Sequence, residues 1–152
     1  MAELERVQIW AEALIRLHLD DTWSFGFDRA AKRAGLTNYA TRRITVSKHL
    51  AARWDDDEVH QTLLHEVAHA MAGPAAGHGP RWRRTAREIG YVGGRTHRGE
   101  IAAERAGWVG VCPGGHEHLR FRAPSGRYAC KPCTRAARRV VEIRWQRRAQ
   151  AA

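Results

Sequence analysis

The sequence predicts an α+β fold, with helices packed on a small sheet and a separate metal-stabilised module behind them. Three observations carry that prediction. An apolar stripe with three- and four-residue steps opens the chain, as an amphipathic helix requires. Two short segments, Trp23-Ser24-Phe25-Gly26-Phe27 and Arg43-Ile44-Thr45-Val46-Ser47, have the aromatic and β-branched character of strands. From Trp108 to Cys133 the chain becomes loop-rich and carries cysteine and histidine at metal-ligand spacing. A length of 152 residues suits one compact core with a satellite and is short for two full domains.

Taken in order, Leu4, Val7, Ala11, Leu14 and Leu17 predict a first helix ending near Asp20 and Asp21. The strand at residues 23–27 follows, then a short helix at residues 30–34 before Gly35, then the strand at residues 43–47. Asp55, Asp56, Asp57 and Glu58 are acidic where a helix would begin, complementing the positive end of its dipole, and Gly73-Pro74 stops that helix. Within it, Val59, Leu63, Val67 and Ala70 form a core side, and His65 and His69 share a different face. A glycine-rich connection leads to Pro80 and a basic helix at residues 81–89, ended by Gly90. Residues 119–128 read as a basic hairpin with Ser125-Gly126 at its turn, and residues 136–150 as a helical or extended basic tail. The pattern does not specify strand order.

The formal charge is +10, and it is unevenly spread. Residues 1–76 carry nine Lys and Arg against eleven Asp and Glu, whereas residues 77–152 carry seventeen against five. The second half therefore has the electrostatic footprint of a polyanion binder. Charges at Glu3, Glu5, Arg6, Glu12 and Arg16 exclude a signal-peptide core at the start, and no stretch is apolar enough to span a bilayer. Three cysteines without an export signal argue against a disulfide framework and for metal ligation in a reducing, cytoplasmic compartment.

His65-Glu66-Val67-Ala68-His69 is the first chemical constellation. Two histidines four apart on one helix present their imidazoles on the same side, which suits two positions of a tetrahedral zinc. Glu66 then lies beside the metal rather than on it, as general base for the water that attacks a carbonyl. The third ligand expected is His78, in Gly77-His78-Gly79. A metzincin histidine would fall at Ala75, which excludes that geometry, and a glutamate ligand would come from Glu88, Glu100 or Glu104.

The run from Thr62 to Ala70, followed by Gly77-His78-Gly79-Pro80-Arg81-Trp82, resembles the SprT-like (Spartan-type) metallopeptidase domain. Ile44-Thr45-Val46-Ser47 and Ala86-Arg87-Glu88-Ile89-Gly90 fit the same resemblance. It implies a small zincin-like domain at residues 1–106, a catalytic zinc on His65, His69 and His78, and Glu66 as catalytic acid and base. It also implies substrates among proteins bound to DNA, notably DNA–protein crosslinks. Bacterial members often carry a zinc ribbon after the peptidase domain, commonly with four cysteines.

Here Cys112, His116, Cys130 and Cys133 make a Cys₃His ribbon at residues 107–135, with His116 preferred to His118, and zinc would supply its folding free energy. Trp82, Tyr91 and Trp108 are expected to pack rather than stack on bases. Arg120, Arg122 and Arg127 interleave with Phe121 and Tyr128, and Arg138, Arg139 and Arg147 lie in the basic tail at residues 136–152 around Trp145. Arginines among aromatics suit phosphate contact and stacking, so the expected partner is single-stranded or otherwise non-specifically bound DNA, engaged by a monomer without a membrane. The competing reading is a non-enzymatic, zinc-stabilised nucleic-acid-binding module. Glu66 separates the two, because a structural site needs no base.

Overall fold

Helix α1, Leu4–His18, buries Val7, Ala11 and Ile15. The computed structural model describes residues 2–93, 103 and 106–148, and α1 opens the first of its two compact units, Met1–Ile101 and Ala102–Ala152. The expected helix is present, but its last apolar position is not: Leu17 is 74% exposed. A step from residue 14 to 17 rotates that side chain off the buried stripe, and Ile15 takes the inward place.

Three strands make the first sheet, β1 (Ser24–Asp28), β2 (Gly35–Asn38) and β3 (Arg43–Ser47), in the order β1-β3-β2. The central strand β3 runs parallel to β1 and antiparallel to β2. β1 and β3 lie where the sequence places them, but the short helix expected at residues 30–34 does not form. Asp28 is the reason. Its Oδ1 accepts the Ala30 N–H at 2.8 Å, and its Oδ2 accepts from Arg33 at 2.8 Å and from Thr45 Oγ1 at 2.7 Å. A side chain that takes backbone N–H groups in this way diverts the chain into a bend, and Gly35 then starts a strand that the sequence reading lacked.

The four-residue α2, Lys48–Ala51, is capped by Ser47, whose Oγ accepts from the Leu50 N–H at 3.3 Å. Helix α3, Asp56–Ala72, begins at Asp55, whose carboxylate accepts the Glu58 N–H at 2.8 Å as an N-cap. It ends at Gly73, whose φ of 88° lies in the left-handed region that favours glycine. The expected split into a core side and a site side understates its burial, because every residue from Thr62 to Ala68 is buried. Val67 packs with Ile15 and Ile44 on the sheet side. Leu64, Ala68 and Ala72 pack with Trp82, Ala86 and Tyr91. Trp82 and Ala86 come from α4, Pro80–Glu88, which starts on proline because a first-turn N–H needs no helical partner. Trp82 and Tyr91 are thus packing residues, 3% and 4% exposed.

The second unit holds an antiparallel sheet of β4 (Trp108–Val111), β5 (Glu117–Arg120) and β6 (Arg144–Arg147), in the order β5-β4-β6, with helix α5 at Lys131–Ala137. The hairpin is β4–β5, with residues 112–116 at its turn. Residues 121–127 are an irregular connection and not the second arm of a hairpin at 119–128. Residues 144–147, read from sequence as tail, pair with β4 from Trp108↔Arg147 to Val111↔Arg144. The core here is Cys112, Cys130 and Val141, with Cys133 and Ile143 against it. So few apolar groups cannot offset chain entropy without a further cross-link. Among the described residues no helix is long and apolar enough to cross a membrane.

Burial raises the Asp28 pKa, but hydrogen bonds from Ala30, Arg33 and Thr45 outweigh it and hold the carboxyl below its usual 3.8. A depressed folded-state pKa gives stability that is present above 3.8 and lost as pH falls through the lower folded value. Asp28→Asn should therefore be less stable than wild type in urea at pH 7, with the difference shrinking below about pH 4. A difference independent of pH between 7 and 3 would show that ionised Asp28 does not brace this bend.

Candidate metal centres and active site

Helix α3 supplies His65, Glu66 and His69 from consecutive inward turns, and the glycine-bounded loop before α4 supplies His78. The three Nε2 atoms form a near-equilateral triangle: 3.2 Å between His65 and His69, 3.0 Å between His69 and His78, and 3.1 Å between His78 and His65. Four-coordinate zinc with bonds of about 2.0–2.1 Å places its ligand atoms roughly 3.3 Å apart. The triangle thus fits one face of that tetrahedron. Burial, with His78 beside it, pushes His69 down to about 4, so its imidazole is neutral at pH 7 and keeps a lone pair to offer.

Trp82 backs the cluster. Its ring stacks on His69 with centroids 5.2 Å apart and meets His65 and His78 edge-on at 4.8 Å and 4.6 Å. Its indole N–H donates to the His65 carbonyl at 3.4 Å. Tyr39 donates to the His69 carbonyl at 3.0 Å, and Arg83 Nε to that of His78 at 3.1 Å. Each histidine-bearing segment is therefore held by its backbone from a neighbouring element.

Glu66 is 6% exposed, and burial pushes it up to about 7 against the opposing effect of the Thr37 hydrogen bond. Thr37 Oγ1 lies 2.8 Å from Glu66 Oε2 and 2.8 Å from the Glu66 carbonyl. On the same strand, a Cβ added at Gly35 would sit 2.7 Å from Glu66 Cγ and 2.8 Å from Oε1. β2 thus fixes the carboxyl from two sides. Sequence reasoning missed both residues because it missed the strand. The one available signal was the small residue and hydroxyl alternating in Gly35-Leu36-Thr37.

Of the alternative third ligands, Glu88 is exposed on α4 and outside the cluster. Glu100 and Glu104 lie outside the described residues. Ala75 is in a single 3₁₀ turn, Pro74–Ala76.

A second cluster joins Cys112 and His116, from the β4–β5 turn, to Cys130 and Cys133 at the start of α5. Cys112 Sγ is 3.5 Å from His116 Nδ1 and 3.6 Å from Cys133 Sγ, and His116 Nδ1 is 3.2 Å from Cys133 and 3.6 Å from Cys130. Tetrahedral zinc with sulfur ligands at about 2.3 Å needs separations of roughly 3.5–3.8 Å. The donor set fits. Burial and the adjoining thiols push Cys133 up to about 11, whereas Cys112 is drawn down to about 6, its burial outweighed by hydrogen bonds from His116 and the other thiols. A divalent cation bound by these four residues would remove that competition for protons. His118 stands apart: it pairs with Gly110 across the sheet, and its ring is 6.5 Å from that of Trp145.

The arginines named from sequence are differently placed. Arg120 lies over the Tyr128 ring at 4.1 Å and the Trp145 ring at 5.8 Å. Arg127 is ion-paired with Glu142. Arg138 closes α5 with a φ of 51°, and Arg122, Arg138, Arg139 and Arg147 are exposed.

Three converging imidazoles, two of them one turn apart on the helix that also carries the buried Glu66, make a candidate metal site of the His-Glu-x-x-His kind in a small mixed α+β domain. The chain belongs to the SprT-like family, whose model matches residues 4–103, and membership implies a metallopeptidase-like domain. Comparison with curated proteins and with solved structures gave no match.

The close approach of β2 gives a stability test. Gly35→Ala should destabilise the protein by about 1–3 kcal/mol in urea unfolding, the usual range for overpacking, because the Glu66 carboxyl must move. Unchanged stability would mean that the strand does not press on Glu66.

Proposed function

We propose that the chain is a zinc-dependent endopeptidase that acts on DNA-associated proteins, with a zincin-like first unit followed in sequence by a zinc ribbon. The observation that carries this reading is a cluster of three donors, and only three among the described residues, two of them on the helix whose intervening Glu66 is buried. Structural zinc usually takes four protein donors and needs no base, whereas catalytic zinc keeps one position open. Zinc held by His65, His69 and His78 would polarise the scissile carbonyl and the attacking water.

The chain's own residues do the rest. Thr37 holds Oε2 of Glu66, which leaves Oε1 to take the proton from the water and deliver it to the departing amine. A base whose proton affinity lies near neutrality can do both. Trp82 excludes water from the back of the cluster and fixes the imidazole of His69. In the second unit, Cys112, His116, Cys130 and Cys133 would bind structural zinc. The exposed arginines Arg122, Arg138, Arg139 and Arg147 and the stacked Arg120 would contact DNA phosphates, with Arg127 contributing once released from Glu142. The crosslink-type substrate rests on the family resemblance and on the basic second half of the sequence. We place the protein in the cytoplasm, as a monomer with reduced cysteines.

Cleavage of a DNA-binding protein, with and without single-stranded DNA, tests the reading. Wild type should cleave, and faster with DNA. Glu66→Gln should lose about 10²- to 10⁴-fold, the range for a general base, with its zinc retained. Thr37→Val should lower kcat roughly 10- to 100-fold with KM unchanged, as expected for a hydrogen bond of about 1.5–3 kcal/mol to a charged group, and Thr37→Ser should recover it. No cleavage by zinc-loaded wild type would favour the non-enzymatic nucleic-acid-binding module instead.

A further inference from the structure

Helix α4 carries a charged face that the metal site does not use. Its inward arc is Trp82 and Ala86, continued by Ile89 against the same core. At 3.6 residues per turn, Arg83, Arg84, Arg87 and Arg81 fall on the remaining arc with one acidic residue, Glu88, so that the arc keeps a net positive charge, and all four arginines are exposed. None of them makes an ion pair among the described residues. Nothing in the preceding loop neutralises them, since no acidic residue occurs between Glu66 and Glu88. The acidic first turn of α3 lies toward the far end of α4, where Gln61 donates to the Gly90 carbonyl at 3.4 Å.

This face adjoins the histidine cluster. Arg83 Nε donates to the His78 carbonyl at 3.1 Å, and Trp82, one residue before it, stacks on His69. Arg87 Nε donates back to the Arg83 carbonyl at 3.2 Å, and its side chain is exposed.

We propose that this face of α4 binds the phosphate backbone of single-stranded nucleic acid, so that the first unit holds its polyanion beside its own metal site. The inference deepens the DNA-directed reading above and rests on it. The chemistry favours phosphate over an acidic polypeptide. All four cations are arginines, whose planar forks match phosphate oxygens. Apart from Pro80 in its first turn, the outward arc has no apolar residue to grip a peptide side chain, and a repeating backbone charge needs none. It also has no outward aromatic ring, so contact is with phosphates and not bases, and sequence preference is absent.

The test is anisotropy titration of a fluorescein-labelled oligothymidylate with the full-length, zinc-loaded chain at several salt concentrations. Arg83 is left in place because it holds the His78 carbonyl. Arg81→Gln, Arg84→Gln and Arg87→Gln combined should reduce the salt slope by about 2, since each lost contact to a single strand removes roughly 0.7. Each single substitution should remove about a third of that, which keeps the proposal testable if the triple variant folds poorly. Zinc content and helical circular dichroism should match wild type. Wild-type affinity and slope in the folded triple variant would overturn the assignment of α4 and leave DNA binding by the second unit intact. Failure of wild type to bind the oligonucleotide would overturn the DNA-directed reading itself. Equal displacement of the oligonucleotide by polyglutamate would assign the face to acidic polypeptides.

Discussion

The middle of α3 is buried on nearly every side, yet it carries two imidazoles and a carboxyl. Burying polar groups without partners costs several kcal/mol each, so the surrounding elements must be arranged to satisfy them. The loop before α4 brings in a third imidazole, β2 brings in the Thr37 hydroxyl, and Trp82 and Tyr39 bond the carbonyls of the histidine residues. The three nitrogens form the remaining donor set, one that a cation could complete. Helix packing, strand position and site chemistry are in this sense consequences of one enclosure.

The same logic governs the second unit on a smaller scale. Two thiols and an imidazole–thiol pair converge where a larger domain would have an apolar core, and Val141 and Ile143 add little. If these four donors take a metal, folding and metal binding would become one equilibrium in such a module. Gly114 has a steric part in it, because a side chain there would collide with the Cys133 sulfur.

What was legible in the sequence was what depends on local pattern. The periodicity of α1 and the acidic start of α3, with its Asp55 cap, are local, and so is the spacing of Cys130 and Cys133. The clustering of His65, His69 and His78 was foreseen in residue type, since a His-Glu-x-x-His helix must find a further donor. The strand β2 was not legible, because Asp28 overrides the helical pattern of residues 30–34 through bonds to Ala30, Arg33 and Thr45. With β2 went Gly35 and Thr37, whose importance exists only through a contact some thirty residues away in sequence, as in Thr37 to Glu66. β6 was hidden for the related reason that its pairing to β4 is non-local and its sequence, Arg144-Trp145-Gln146-Arg147, is mostly polar.

Zinc analysis of the purified chain by mass spectrometry tests most directly whether the two separate clusters each bind a metal. Wild type should carry two zinc atoms per chain, His78→Ala one, Cys130→Ser one and the combined variant none. A wild-type chain with no zinc, or a His78→Ala variant that keeps both atoms, would contradict two-site binding.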